Sequence, residues 1–245
     1  MSDMTTASIV TGAAAGNGLA IARHLRARGH HVIGVDLAPV PDDAAQERLM
    51  GDVNDAGVIT SAFERALGVG PGQICLVNNA GVTTSEFPPS DATWARTLDV
   101  NLTAPFRWAR EFSLHVTEGR IRAGAMVFIG SLATATGFPR NPAYQAAKAG
   151  ILGLTRSFAY DLGAYGIRVN CVSPGYIRTA MTERSFASPE MNAARRKHTL
   201  LGRWGEPGDV AQAVGFLCDP ASAYITGVNL PVDGGWLARG LIEEA

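Results

Sequence analysis

Charge of either sign is scarce in this chain. Its 245 residues hold 21 Lys and Arg against 22 Asp and Glu, a formal net charge of −1, and charged residues make up only 18%. That offers nucleic acid no basic field and a membrane surface no polybasic patch. The one dense basic cluster, Arg195-Arg196-Lys197-His198, reads as a solvated helix face. Cysteine is rarer still. Cys75, Cys171 and Cys218 stand in apolar contexts without metal-ligand spacing, which predicts buried thiols in a reducing compartment and no metal site. No apolar run approaches the ~18 residues of a membrane span, and Met1 to Ile9 lacks the basic and apolar regions of a secretory signal. Repeats, low-complexity tracts and linkers are missing as well. The expectation is a soluble, cytoplasmic protein whose partner is a small molecule, with neither nucleic acid nor membrane involved.

What the chain does have is apolar residues, 47% of the total, enough for a large core. They fall into a regular alternation. Ala7 to Thr11 is a short apolar run, Leu19 to Arg28 is periodic and stops at Gly29, and His31 to Asp36 is a second run. Leu49 to Asp52 is a weak strand candidate, Ala56 to Leu67 a helix, and Ile74 to Val77 a strand. Thr93 to Glu118 reads as helix, Ala125 to Ile129 as a buried strand, and Pro142 to about Ala164 as a long amphipathic helix. Ile167 to Val172 is a strand, Asp209 to Cys218 a helix, and Val228 to Leu230 a last short strand. Strands that are apolar throughout, instead of alternating, suit a parallel sheet covered on both faces. The prediction is one α/β domain over 1–245: a Rossmann-type, doubly wound parallel sheet of about seven strands with helices on both faces. Residues 178–203 contain no strand pattern and are read as an irregular insertion that forms a substrate lid.

Between the first strand and the first helix lie Gly12, Gly16 and Gly18. Glycines there permit a tight turn and let a pyrophosphate approach backbone N–H groups at a helix N-terminus. Asp36 closes the second strand, where a carboxylate binds both ribose hydroxyls and repels a 2′-phosphate. No Lys or Arg follows it in Leu37-Ala38-Pro39, and Ala15 supplies no cation. This favours NAD over NADP. Asn78-Asn79-Ala80-Gly81 ends the fourth strand, where asparagines tie loops together or hold a cofactor and glycine allows close approach.

The long helix opens on Tyr144-Gln145-Ala146-Ala147-Lys148. Residues four apart share a helix face, with Cβ atoms roughly 5–6 Å apart. A phenol loses its proton near pH ~10, and a neighbouring ammonium is expected to pull that value down toward neutrality. Ser131, thirteen residues before the tyrosine, follows the fifth strand at its carboxyl end, where open α/β sheets bind ligands. Its hydroxyl suits a carbonyl or alcohol oxygen while Tyr144 handles the proton.

Taken together, Thr11-Gly12 with Gly16 and Gly18, Asp52-Val53, Asn78-Asn79-Ala80-Gly81, Asn101, Ser131, Tyr144 with Lys148, and Pro174-Gly175 with Thr179 resemble the short-chain dehydrogenase/reductase family in order and spacing, across nearly the whole chain. The resemblance implies a catalytic tetrad of Asn101, Ser131, Tyr144 and Lys148. In it, Lys148 lowers the Tyr144 pKa and holds the nicotinamide ribose, while the main-chain carbonyl of Asn101 holds a water leading from Lys148. It implies an NAD site made by Gly12, Asn17, Gly18, Leu19, Asp36, Asn79, Ala80, Gly81, Tyr144 and Lys148, with Asp52 and Val53 beside the adenine. Pro174, Gly175, Ile177 and Thr179 would line the nicotinamide. Asn17 departs from the branched apolar residue common in relatives, though asparagine starts a helix well.

The activity implied is interconversion of a secondary alcohol (a polyol, sugar or hydroxy acid) and its ketone. Ser131, Leu132, Phe138, Arg140, Asn141 and Met181 are the substrate candidates, with Thr83, Phe87, Tyr176 and Phe186 nearby. Arg140 and Arg178 are candidates to grip an anionic group. The rival within the class is a 3-oxoacyl thioester reductase; outside it, a catalytically silent NAD-binding regulator. Ile151, Leu154, Phe158 and Leu162 are expected to pack on the chain's own core. A homotetramer, joined through the long central helices, is implied by the resemblance alone.

Overall fold

The computed structural model describes residues 5–70 and 72–239, so the outer limits expected for the domain, Met1 and Ala245, lie outside the described residues. Seven strands are present: β1 (Ala7–Thr11), β2 (His31–Asp36), β3 (Glu47–Met50), β4 (Ile74–Asn78), β5 (Gly124–Ile129), β6 (Ile167–Pro174) and β7 (Asn229–Val232). They form one sheet in the order β3-β2-β1-β4-β5-β6-β7, parallel at every junction. The four central strands are buried along their whole length, which is why their sequences are continuous apolar runs.

Side chains alternate between faces, and the sheet therefore builds two cores. Ile9, Leu76, Met126 and Phe128 point to one, with Phe63, Trp108, Phe112 and Ile151; these come from α2 (Ala56–Gly68), α4 (Ala104–Thr117) and α5 (Pro142–Gly163). Val10, Val77, Val127 and Val172 point to the other, with Ile21, Leu25, Val210 and Val214 from α1 (Gly16–Ala27) and α8 (Pro207–Cys218). Each fully buried aliphatic or aromatic side chain contributes about 1.5–3 kcal/mol. The expected stripe on α5 behaves as predicted: Ile151 and Leu162 are buried, and Leu154 and Phe158 pack against the same core. The three cysteines are free and buried. No helix among the described residues is long and apolar enough to cross a membrane.

Three stretches depart from the sequence reading. First, α1 begins at Gly16, not Leu19, because the glycine turn runs straight into the helix. Second, the single helix expected over 93–118 is broken into α3 (Asp91–Leu98), a π-helical turn (Asp99–Thr103) and α4. Pro105, in the first turn of α4, has no N–H, so the α-helical bond to the Asn101 carbonyl cannot form. Third, residues 178–203 are not irregular; they contain α6 (Glu183–Ala187) and α7 (Pro189–His198). Ser188 caps α7 by accepting the Met191 N–H at 3.3 Å, with proline at the first position. The ends of this segment are clasped to each other: Arg178 N–H donates to the Gly205 carbonyl at 2.9 Å and Gly205 N–H to the Tyr176 carbonyl at 3.0 Å.

Candidate active site

Strand order reverses between β1 and β4, and a cleft of about 620 Å³ opens beyond the carboxyl ends of the strands there. One end is built by the glycine turn. Gly12 has φ +69°, and a Cβ on it would lie 2.9 Å from Ala80 Cα. A Cβ on Gly18 would lie 1.9 Å from the Gly12 carbonyl oxygen, so this position packs helix against turn and faces away from the cleft. The first turn of α1 holds no acidic residue and no side-chain cap, which leaves its N–H groups and the positive end of its dipole for an anion. Asn17 lines the cleft from that turn, with Oδ1 unpartnered among the described residues.

Asn79 acts as a tie. Its Nδ2 donates to the carbonyls of Thr11 (3.0 Å) and Gly12 (3.2 Å), while Thr11 Oγ1 accepts the N–H groups of Asn79 (3.0 Å) and Ala80 (3.1 Å). Asp36 holds the far side: its two carboxylate oxygens accept the N–H groups of Ala14 (2.9 Å) and Ala38 (3.0 Å). Of the predicted cofactor residues, Gly12, Asn17, Asp36, Asn79, Ala80 and Gly81 line this end, and Pro174, Gly175, Ile177 and Thr179 line the opposite wall. Gly18, Leu19, Asp52 and Val53 do not. Leu19 packs on the core beneath α1, Asp52 accepts the Asn54 N–H at 2.9 Å, and the Val53 carbonyl accepts the Trp108 indole N–H at 2.9 Å.

In the middle of the cleft the structure brings the four predicted catalytic residues together. Ser131 follows β5, accepts the Ala133 N–H at 3.1 Å, and lines the cleft beside Tyr144. Lys148 lies one helical turn beyond Tyr144, its Nζ 5.7 Å from the ring centre. Burial lowers the Lys148 pKa to about 8, with the neighbouring Cys171 thiol pulling the other way. Its ammonium donates to the Ile129 carbonyl at 2.7 Å. Burial likewise pushes the Tyr144 phenol above its ordinary value, and the neighbouring Ser131 hydroxyl opposes that shift. The downward pull expected from Lys148 does not prevail: desolvation dominates, and the ammonium points at a backbone carbonyl.

Asn101 is wholly buried in the π-helical turn. Its amide donates to the carbonyls of Val82 and Thr97, both at 2.9 Å, and accepts the Val82 N–H at 3.1 Å. The side chain is thus a strut, and the main-chain carbonyl is the group released by Pro105. Gly81 seats against it: a Cβ there would stand 2.7 Å from Asn101 Oδ1 and 3.8 Å from Lys148 Nζ.

The other end carries Ser131, Leu132, Phe138, Asn141 and Met181 from the predicted substrate set, with Thr83 and Tyr176. Arg140 stands outside the lining. It adopts φ +57° and gives its carbonyl to the Glu86 N–H at 2.9 Å. Arg178 is outside too, stacked 4.2 Å over Phe186, and Phe87 is 73% exposed. Two residues escaped the sequence reading. Gln145 staples the 132–138 connection: Oε1 accepts the Phe138 N–H at 2.8 Å, and Nε2 donates to the carbonyls of Ala133 (3.3 Å) and Thr136. Arg195, assigned to a solvated face, lines the cleft from α7. The missed signal was the helix start at Ser188-Pro189, which puts Arg195 one turn past the half-buried Met191.

Comparison with known proteins agrees with this geometry. The family model described as enoyl-(acyl carrier protein) reductase matches residues 12–237. Galactitol 2-dehydrogenase (L-tagatose-forming) of Cereibacter sphaeroides is 39% identical over 240 residues, 93% of each chain. A structure provisionally assigned as a 2-deoxy-D-gluconate 3-dehydrogenase from Agrobacterium tumefaciens, with bound NADP, superposes with a TM-score of 0.88 at 35% identity, covering 97% of this chain and 98% of that one. A 4-hydroxyisoleucine dehydrogenase complexed with NADH gives 0.87 at 29% identity, covering 96% and 100%. With a match running through the glycine turn, the tetrad and the last strand, the chain belongs to the short-chain dehydrogenase/reductase family.

Proposed function

We propose that this oxidoreductase interconverts a secondary alcohol and its ketone with NAD(H), using Tyr144 as the general acid/base. The observation that carries the reading is the convergence of Ser131, Tyr144 and buried Lys148 in the same cleft as the glycine turn, with Lys148 one helical turn beyond Tyr144. The nicotinamide cofactor, when bound, supplies the hydride acceptor or donor. The rest is work for the chain. The N-terminus of α1 takes the pyrophosphate, Asp36 the ribose hydroxyls, and the wall from Pro174 to Thr179 the nicotinamide end. Ser131 donates to the substrate oxygen and orients it. Tyr144 removes the hydroxyl proton during oxidation and returns it during reduction. Lys148 steadies the phenolate, and the Asn101 carbonyl, lacking an N–H partner at Pro105, accepts from a water that relays the proton outward.

NAD is favoured because Asp36 is the only charged side chain at the ribose end of the lining among the described residues. A 2′-phosphate there would meet a carboxylate and no cation. Relatives with polyol and hydroxy-acid substrates support a small polar alcohol. Relatives that are 3-oxoacyl-(acyl carrier protein) reductases, 34% identical over 237 residues in one case, keep 3-oxoacyl thioester reduction as the second reading. The chain is read as one domain, with 178–203 as the lid over the substrate end. Exposed Phe106 and Tyr160 on α4 and α5 support the homotetramer, which light scattering on the purified protein tests.

The functional test is a panel of secondary alcohols and ketones followed at the reduced-nicotinamide absorbance, with NAD and NADP in parallel arms. Turnover of polyols or hydroxy acids with NAD is the expected result. Preferred turnover of 3-oxoacyl thioesters moves the assignment to the second reading, and silence across the panel, with NADH still bound, overturns both.

A further inference from the structure

Three charged side chains line the cleft among the described residues: Asp36 at the ribose end, Lys148 in the middle, and Arg195. The first two have roles in the proposed chemistry. Arg195 has none, and its setting is unusual. It projects from α7 and lies with its guanidinium 4.5 Å over the Tyr176 ring. Tyr176 is itself held by Trp236 at 4.7 Å and Trp204 at 5.5 Å between ring centres. Stacking of this kind fixes the guanidinium plane, and the guanidinium also opposes the rise that burial causes in the Tyr176 phenol pKa. The Nε of Arg195 is buried and has no hydrogen-bond partner, and no carboxylate of the described residues lies within ion-pair distance of the side chain. Its neighbours differ. Arg203 is paired with Asp209 at 2.8 Å, and Arg196 donates to the Gly202 carbonyl at 3.1 Å.

A buried donor without an acceptor is rare in folded proteins. Here it belongs to a permanently charged group, fixed by an aromatic face, in the wall of a cleft that also holds Ser131 and Tyr144. We propose that Arg195 is a substrate-recognition residue, and that the secondary alcohol this enzyme handles carries a carboxylate which the Arg195 guanidinium grips. This rests on the oxidoreductase reading above and narrows it to hydroxy acids and oxo acids. Carboxylate fits better than phosphate because a phosphate group brings a charge of about −1.5 to −2, and this end of the lining offers a single cation. The planar fork also matches a carboxylate edge-on, in two parallel hydrogen bonds.

The test uses the full chain with NAD and hydroxy acids of three to six carbons, each paired with its primary amide and with an alcohol phosphate of similar length. In the wild type, kcat/KM for the best acid should exceed that of its amide by about 10- to 100-fold. Arg195→Met should collapse that ratio toward one, chiefly through KM for the acid, and Arg195→Lys should restore part of it. NADH fluorescence titration of each variant checks that the fold is retained. If Arg195→Met does not bind NADH, the same ratio is read in Arg195→Gln and in the wild type. An acid-to-amide ratio near one in the wild type overturns the inference, as does a ratio that survives loss of the guanidinium, or a preference for phosphates. In those cases alcohol oxidation itself stands. Failure to oxidise any alcohol while NADH still binds defeats the underlying oxidoreductase reading instead.

Discussion

The two ends of the cleft are held by different means. At the cofactor end the walls are main chain: the β1–α1 turn, the ends of β2 and β4, and N–H groups locked by Thr11, Asn79 and Asp36. At the substrate end they are side chains on two connections. One is stapled by Gln145; the other is clasped at its ends by Ile177 and Gly205 and filled by the ring stack of Phe138, Tyr176, Trp204 and Phe186. Backbone geometry set by sheet pairing tolerates little change of residue, whereas a wall of side chains changes its chemistry with each substitution. One half of the site is therefore suited to a constant ligand and the other to a variable one.

The sharpest way to separate the halves is Tyr144→Phe, at their junction. Removing the phenol oxygen takes away the proton acceptor while leaving the ring. Turnover should fall by about three orders of magnitude, and NADH affinity should stay within a few-fold by fluorescence titration. A variant with ordinary turnover would remove Tyr144 from the mechanism.

Lys148 tests the junction through stability. Its pKa in the folded protein is about 8, against 10.5 when free. Between those values the unfolded chain holds the proton and the folded one does not, so stability from this group rises with pH across the window. Below pH 8 the buried charge acts at full cost. The stability gap between Lys148→Met and wild type, read by urea unfolding without ligand, should therefore shift in favour of wild type by on the order of 2–3 kcal/mol from pH 7 to pH 10. The lost bond to the Ile129 carbonyl does not titrate and cancels from the comparison. A gap that does not change with pH contradicts the burial.

The same contrast explains what the sequence revealed. Strand positions were legible because parallel strands buried on both faces must be apolar throughout. The glycine turn, Asp36 and the Ser131–Tyr144–Lys148 set were legible because each depends on residue type at a fixed spacing. The substrate end was not. Arg140 and Arg178 read as grips for an anionic group and Arg195 as a surface arginine, whereas the helix over 189–198 puts Arg195 in the cleft lining and the other two stand outside it. The direction of the Tyr144 shift was missed for a related reason: spacing gives the neighbour, but burial, which outweighs it, comes from the surrounding chain.

At the cofactor end alone, Asp36→Ala should narrow the proposed preference for NAD over NADP by about 10- to 30-fold, because in that proposal Asp36 is both the ribose acceptor and the source of repulsion toward a 2′-phosphate. Rates with saturating alcohol and each cofactor measure this. A wild type that uses both cofactors equally would leave Asp36 without that role.

At the substrate end alone, the weakest effect falls on Gln145→Leu. Leucine keeps the volume beside Tyr144 but cannot accept the Phe138 N–H or donate to Ala133 and Thr136. These bonds hold the connection that carries Leu132 and Phe138, and losing a partly exposed hydrogen bond costs on the order of 1 kcal/mol. KM for the alcohol should rise about 3- to 10-fold. NADH affinity should not move, since no bond of Gln145 reaches the glycine turn. A fall in kcat with KM unchanged would instead mean that the disturbance travels along α5 to Tyr144, and that the two ends are coupled through that helix.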